Sequence, residues 1–334
     1  MIFGRNQYRL PLPWSTWLRF LCYKAATCLI DCSLFVQSFI SPPKRLPDKP
    51  LPIDDRAFDK LFRDDNPQWE EASEFVKSIR VVKNCLAAKL CPLVDASDNN
   101  VDYPEIHAMR LVHERTSIPV PRVHHVMLDE PPPDTLWTGA THYIVIMDYI
   151  HGDLLGDIWP KLGLWKKVWV VITLRRYVKE LRKARQPFDG CMGRVSASGE
   201  ALRCDLPGLL EKREIYSSYD GLKNFYNSMW RSKGRDERSC YTDSFPLTLC
   251  HGDLHKYNII LGHDGQIWLI DWGYSGFYPQ WFEYRRMFIM GSLATCNKKV
   301  IVPKDRSWQL LSGIVCDYDP WTLTWYRQLY SISI

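Results

Sequence analysis

Residues 247–284 read LTLCHGDLHKYNIILGHDGQIWLIDWGYSGFYPQWFEY. Two strings stand out in them: His251-Gly252-Asp253 with Asn258 five residues after the aspartate, and Asp271-Trp272-Gly273. Between them, the apolar runs Ile259–Leu261 and Ile267–Ile270 flank Asp264-Gly265, a preferred dipeptide of tight hairpin turns. With that dipeptide as the turn, residue 263 faces 266, 259 faces 270 and 258 faces 271. The sequence therefore predicts Asn258 and Asp271 side by side at the open end of a hairpin, with Asp253 a loop away. An amide oxygen and a carboxylate in that arrangement suit a hard divalent cation such as Mg2+, which also takes phosphate oxygens and water. Phosphoryl transfer calls for this set: one aspartate to accept or orient the proton of the attacking hydroxyl, and an asparagine and second aspartate to hold metal on nucleotide phosphates.

Upstream, Ile79–Lys83 and Leu86–Leu90 are apolar runs around Asn84 and predict an antiparallel pair. Pro104–Arg115 predicts a helix, with Pro104 in the first turn and Ile106, Ala108, Met109 and Val112 near helical spacing. Val120–Leu128 and His142–Tyr149 predict two further strands, separated by DEPPPDTLWTGA. After residue 150 the chain turns helical. Trp165–Ala184 carries Trp165, Val168, Trp169, Ile172, Val178 and Leu181 as an apolar stripe, and its lysines and arginines, Arg175 among them, read as a solvated face rather than a nucleic-acid surface. Gly221–Ser232 predicts a second helix. The expected fold is α+β in two lobes, a small β-rich one and a larger, mainly helical one, with a cleft between. The division expected is residues 1–55 as an amino-terminal extension, 56–150 as the nucleotide-binding lobe and 151–334 as the lobe with the catalytic loop and acceptor site.

His-Gly-Asp…Asn and Asp-Trp-Gly are variants of the His-Arg-Asp…Asn and Asp-Phe-Gly strings of protein kinases. In this form they resemble the aminoglycoside phosphotransferase family, small-molecule kinases of the protein-kinase-like fold, and CHGDLHKYNI…IDWGYSGFYP is similar to the string of fungal members. The resemblance covers roughly residues 75–290, taking in EIHAMRLV from Glu105, TSIPVPRV from Thr116 and YIVIMDYIHGDLL from Tyr143. It implies ATP and Mg2+ as cofactors and a small-molecule acceptor. Asp253 matches the catalytic aspartate, His251 the residue bracing the catalytic loop, and Asn258 and Asp271 the metal ligands. Lys89 in LAAKL resembles the phosphate-binding lysine, with Lys83 as the alternative, and Glu105 its ion-pair partner. Met147, Asp148 and Tyr149 match the hinge passing behind the adenine. The sequence departs from the pattern in two places: residues 60–80 contain no glycine, so no glycine-rich loop precedes Lys89, and the hinge carries Asp148 where the family more often has glutamate.

Two other readings compete with a small-molecule kinase. A kinase-like binding or regulatory module without catalysis fits the missing glycine loop, while the complete Asp253/Asn258/Asp271 set speaks against it. A protein kinase is disfavoured by Gly252 in place of arginine and by the lack of an Ala-Pro-Glu string after Asp271. A polycationic acceptor is also disfavoured, because residues 273–334 hold four acidic residues against seven lysines and arginines. The aromatics of that stretch, Tyr274, Tyr278, Trp281, Trp308, Trp321 and Trp325, read as core or as an apolar acceptor pocket.

The whole chain has 334 residues and a formal charge of +5, too mild to argue for nucleic acid, and 46% apolar content, which excludes wholesale disorder. Its 11 cysteines include no Cys-x-x-Cys pair, so reduced thiols in a cytoplasmic protein are expected rather than a disulfide framework. His263 and His124-His125 have no zinc-ligand spacing around them and read as strand or surface residues. Residues 14–40 are apolar but broken by Arg19, Lys24 and Asp31. They predict an amphipathic helix packed on the protein in preference to one lying on a membrane, and residues 41–52 an extended, proline-rich connector.

Overall fold

The computed structural model describes residues 22–34, 69–71, 79–82, 86–92, 103–129, 142–184, 192–196, 219–232, 246–292, 295–296, 300–301 and 306–318. Helix α1 spans residues 22–34. The amino-terminal lobe is a five-stranded antiparallel sheet built from β1 (Trp69–Glu71), β2 (Ile79–Val82), β3 (Leu86–Pro92), β4 (Val123–Asp129) and β5 (His142–Asp148), in the order β1-β2-β3-β5-β4. Helix α2 (Pro104–Arg115) connects β3 to β4, as its leading proline and apolar spacing predict. Lys83, residues 41–52 and the loop 130–141 lie outside the described residues.

Strand parity fixes what each sheet face does. Side chains alternate across a strand, so Ala87 and Cys91 of β3 and Tyr143, Val145 and Met147 of β5 point into one core with Ile106, Ala108, Met109 and Val112 of α2. Leu86, Ala88, Ile144 and Ile146 form a second, smaller cluster on the other face. Lys89 shares its parity with Ala87 and Cys91, and so it faces the helix side.

The chain leaves β5 and enters the second lobe through β6 (Gly152–Leu154), which joins β9 (Ile259–Gly262) and β10 (Ile267–Leu269) in the order β10-β9-β6. A short helix α3 (Leu155–Ile158) and the long helix α4 (Leu164–Lys183) follow. A third sheet sets β11 (Gly276–Pro279) between β7 (Gly193–Arg194) and β8 (Leu247–Cys250). Helices α5 (Tyr219–Ser232), α6 (Trp281–Ser292) and α7 (Arg306–Cys316) complete the lobe, and the short strands β12 (Thr295–Cys296) and β13 (Val300–Ile301) pair between α6 and α7. No helix among the described residues is long and apolar enough to cross a membrane.

Helix α4 differs from its predicted stripe. Val170, Val171, Leu174, Tyr177, Val178 and Leu181 are buried, whereas Trp165 is 83% exposed and Val168 also faces solvent. Arg175, read as part of a solvated face, is fully buried. Its fork donates Nε to Asp31 Oδ1 at 2.7 Å, Nη2 to Asp31 Oδ2 at 2.9 Å and Nη1 to the Ile314 carbonyl at 2.5 Å, and Nη2 lies 3.0 Å from Asp317. A planar guanidinium with that many oxygen partners tolerates burial that a bare cation does not. The same contacts dock α1 on the second lobe, helped by the Tyr23 hydroxyl, which donates to the carbonyls of Gly313 (2.6 Å) and Tyr318 (3.0 Å). The helix within residues 14–40 is therefore packed on the protein along this face.

Replacing Arg175 by methionine keeps the stem and removes the fork, leaving Asp31 with Lys179 as its remaining cation and taking the Arg175 partner from Asp317 and the Ile314 carbonyl. A stability loss of about 3 kcal/mol is expected in denaturant titration. Asp31→Asn, at a carboxylate 37% exposed, is expected to cost only about 1 kcal/mol.

Candidate functional site

The hairpin between the two motifs forms with a register one residue away from the expected one. Leu261 pairs with Ile267, Ile260 with Trp268 and Ile259 with Leu269. Gly262 donates to the Gln266 carbonyl at 2.9 Å and accepts from Gly265 N at 2.9 Å. The loop is thus the three residues His263-Asp264-Gly265, with Gly265 at φ 77 in the left-handed position such loops reserve for glycine. Asn258 consequently pairs through its carbonyl with Ile270 N at 3.1 Å, not with Asp271. A one-residue slip sends a side chain to the opposite face, and Asp271 escapes that fate because it leaves the strand at φ 63, an uncommon angle for a non-glycine residue.

This turn aims Asp271 at the other lobe. Its Oδ1 lies 2.7 Å from Lys89 Nζ, which also lies 2.6 Å from Glu105 Oε1. Burial opposes the charge on Lys89, but Glu105 and Asp271 outweigh that and hold the ammonium well above its usual pKa. Loss of hydration pushes the Asp271 carboxyl up, and Lys89 more than reverses the effect. The second Glu105 oxygen accepts from the Cys91 thiol at 3.3 Å, and burial first, then Glu105, raises that thiol pKa. Cys91, two residues from Lys89 and on the same face, is a site neighbour that sequence reading did not single out.

The loop that carries Asp253 is braced from below. His251 is fully buried; its Nε2 lies 3.0 Å from the Ile270 carbonyl and its Nδ1 accepts the Asp253 N–H at 3.3 Å. These partners assign the ring proton to Nε2, and His251 thereby ties the loop to the strand leading into Asp271. Burial lowers its pKa to about 4. Gly252 sits at φ 79, where a Cβ would run into the Tyr274 carbonyl. Glu283, in the first turn of α6, accepts the N–H groups of His251 (2.5 Å) and Gly252 (3.4 Å) through Oε2. Its Oε1 is buried with no hydrogen-bond partner among the described residues, and burial raises its pKa to about 7.

Asp253 itself is fully engaged. Oδ1 accepts from Arg286 Nη2 at 2.6 Å, and Oδ2 accepts from Asn258 Nδ2 at 3.2 Å and lies 3.4 Å from His255 Nε2. Burial works against ionisation, yet His255 and then Arg286 hold the carboxyl well below the usual carboxylate range. Arg286 Nε also donates to the Gly252 carbonyl at 2.9 Å, and Ser275 Oγ donates to that of His251 at 2.9 Å. Asn258 Nδ2 additionally reaches the Asp253 carbonyl at 3.0 Å. Glu283, Arg286, His255 and Ser275 escaped the sequence reading. The available signal was a glutamate and two arginines inside the otherwise apolar WFEYRRMFIM.

At the hinge, Met147 is buried, and the Asp148 N–H is spent on the Arg122 carbonyl at 3.1 Å. The Asp148 side chain turns to β4, taking Arg122 Nε at 2.9 Å and His124 Nε2 at 2.8 Å. Tyr149 is partly buried against the core, its ring edge-on to His151. The aromatic residues of the last lobe resolve mostly into core: Tyr278, Trp281 and Trp308 are buried. Trp321 and Trp325 lie outside the described residues. Tyr274 is half-buried between the guanidinium groups of Arg194 and Arg286.

The bracing pair has a pH signature. For Glu283 the folded pKa stands near 7 against 4.5, so between those values the unfolded chain loses a proton the native chain keeps, and stability falls as pH rises. For His251 the folded value stands near 4 against 6.5, so acidification through that window costs stability. The two slopes oppose each other over their overlap. Glu283→Gln is expected to uncover the histidine slope, with stability lost below pH about 6.5, and His251→Gln the glutamate slope, with stability lost as pH rises. Each is expected to be on the order of 3 kcal/mol in denaturant titrations run across the window.

A search of curated proteins returns no match. Among solved structures, an aminoglycoside-3'-phosphotransferase of type VIII is 20% identical, with a TM-score of 0.44 over 83% of this chain and 97% of the other. An aminoglycoside phosphotransferase bound to GDP and kanamycin is 13% identical, with a TM-score of 0.48 over 81% and 85%. A spectinomycin phosphotransferase bound to ADP and spectinomycin is 15% identical, with a TM-score of 0.42 over 80% and 79%. The profile of the APH "Phosphotransferase enzyme family" matches residues 86–292, more than half of the chain and the whole span from Lys89 through Arg286. The chain belongs to the APH phosphotransferase enzyme family.

Proposed function

We propose that the protein is a small-molecule kinase that uses ATP and Mg2+ to move a γ-phosphoryl group onto a hydroxyl or amine of a metabolite. The observation that carries this reading is the position of Lys89, shared between Glu105 of its own lobe and Asp271 of the other at 2.6 and 2.7 Å. An ammonium so placed is oriented by Glu105 and close enough to Asp271 to meet phosphate oxygens beside it. The donor set fits the implied cation. The Asp271 side chain is 44% exposed, and the Asn258 amide spends its nitrogen on Asp253, which leaves its oxygen for a ligand. Both are hard oxygen donors. When bound, Mg2+ neutralises charge on the nucleotide phosphates, and Asn258 and Asp271 would hold it.

Asp253 serves in this reading to orient the acceptor. A carboxylate whose acidity is strengthened by His255 and Arg286 is a weak base. Phosphoryl transfer through a loose transition state asks little of a base and much of positioning. His251 holds the loop against the Asp271 strand, and Met147, Asp148 and Tyr149 pass behind the nucleotide base. The charge balance of residues 273–334, four acidic residues against seven lysines and arginines, continues to disfavour a polycationic acceptor.

The test is transfer of the labelled γ-phosphate of ATP to a fractionated metabolite mixture. Wild type is expected to label an acceptor, and Asp253→Asn to lower the rate about 100-fold or more while still unfolding in one cooperative transition, shifted to lower temperature by the loss of the Arg286 ion pair. Wild-type rates in Asp253→Asn overturn the role given to that residue. No labelled product with any fraction favours the non-catalytic binding module.

A further inference from the structure

Helix α1 has two faces of opposite character. At about 100° per residue, Tyr23, Thr27, Ile30, Asp31 and Leu34 fall on one side. Tyr23 and Asp31 on that side make the bonds to Gly313, Tyr318, Arg175 and Lys179. Cys22, Ala25, Cys28, Leu29 and Cys32 fall within an arc of about 120° on the opposite side. All five are exposed, Leu29 by 72%.

This outward arc is unusual on two counts. The solvent side of a docked helix is ordinarily polar, yet the centre of this one is alanine, leucine and three thiols, with Lys24 and Ser33 exposed at its two edges. Cysteine is also among the most buried residue types, and Cys91, Cys250 and Cys316 follow that rule. Two conventional uses of the thiols are excluded by geometry. Residues four apart on a helix have Cβ atoms about 5–6 Å apart, beyond the roughly 3.5–4.5 Å of a disulfide, so Cys28 and Cys32 cannot close one. A structural zinc takes four ligands, and among the described residues the arc offers three thiols with no histidine or carboxylate and no cluster that could hold a metal.

The geometry points to this arc as an S-acylation site, with Cys28 and Cys32 as its neighbouring pair and Cys22 as a third position. The cysteine sulfur attacks the thioester carbonyl of a fatty acyl-coenzyme A. A carbon–sulfur bond to cysteine forms, the bond to the coenzyme A sulfur breaks, and the proton given up by the cysteine leaves on the coenzyme A thiol. Nothing is oxidised or reduced. Leu29 and Ala25 provide the apolar bed between the thiols, and two chains give the stable membrane attachment that a single chain does not. The opposite face, tied through Asp31 to Arg175, carries that attachment to the second lobe without local unfolding.

The inference is tested on the full chain produced in eukaryotic cells fed an alkyne-bearing fatty acid. Wild type is expected to carry a label that neutral hydroxylamine removes, and to leave the membrane fraction when so treated. The Cys22→Ser/Cys28→Ser/Cys32→Ser variant, altered only at exposed positions, is expected to melt as wild type does and to lose the label. A wild-type chain without hydroxylamine-labile label overturns the proposal, as does a label that survives in the triple variant. Should the variant fail to fold, peptide mapping of the labelled wild-type chain decides the matter: label on residues 22–32 is expected, and label only on other cysteines overturns the proposal.

Discussion

One ammonium group ties the two lobes together at the site, alongside the hydrogen bonds of Ser117 to Glu180 and of Leu269 to Pro119. Lys89 arrives on the helix-facing side of β3, is gripped by Glu105 from α2, and spans the cleft to Asp271. A buried lysine is costly to keep charged unless anions surround it, and here the two anions belong to different lobes. The bridge therefore makes the placement of the lobes and the charge state of the cleft one problem. Asp271 meets its side of the requirement through a left-handed backbone angle, which few residues other than glycine adopt at low cost, though aspartate is among them.

The second lobe answers with a brace built from buried polar groups. Glu283 collects the N–H groups that begin the Asp253 loop, Arg286 takes the Gly252 carbonyl and the Asp253 carboxylate, and His251 ties the loop to Ile270. Glu283 and Arg286 are three residues apart in α6, so one helical face supplies both. Each group alone is expensive to bury; together they fix the loop and leave Asp253 in one orientation, while one Glu283 oxygen keeps no hydrogen-bond partner among the described residues. Rigid placement of the loop is what a reaction governed by positioning requires.

Local signals were legible in the sequence. Pro104 and the apolar spacing after it gave α2 its limits, the antiparallel pairing of β2 with β3 was readable around Asn84, and the two motifs pointed to one site. Misreadings arose where distant parts decide. Asp264-Gly265 serves a two-residue and a three-residue loop equally well, and the hydrogen bonds of Gly262 select the longer. Arg175 looks like any surface arginine until Asp31, 144 residues away, and Ile314 supply its partners. Glu283 and Arg286 carry no motif of their own, since their meaning lies in backbone groups some thirty residues earlier. Composition and periodicity report none of these contacts.

The account stands or falls on whether Lys89 and Asp271 form a metal-assisted phosphate site. Thermal unfolding with ATP, with and without Mg2+, measures this most directly on wild type and Asp271→Asn. The predicted result is stabilisation of wild type by ATP that requires Mg2+ and is lost in the variant. Equal stabilisation of both proteins, or a wild-type shift indifferent to Mg2+, would contradict it.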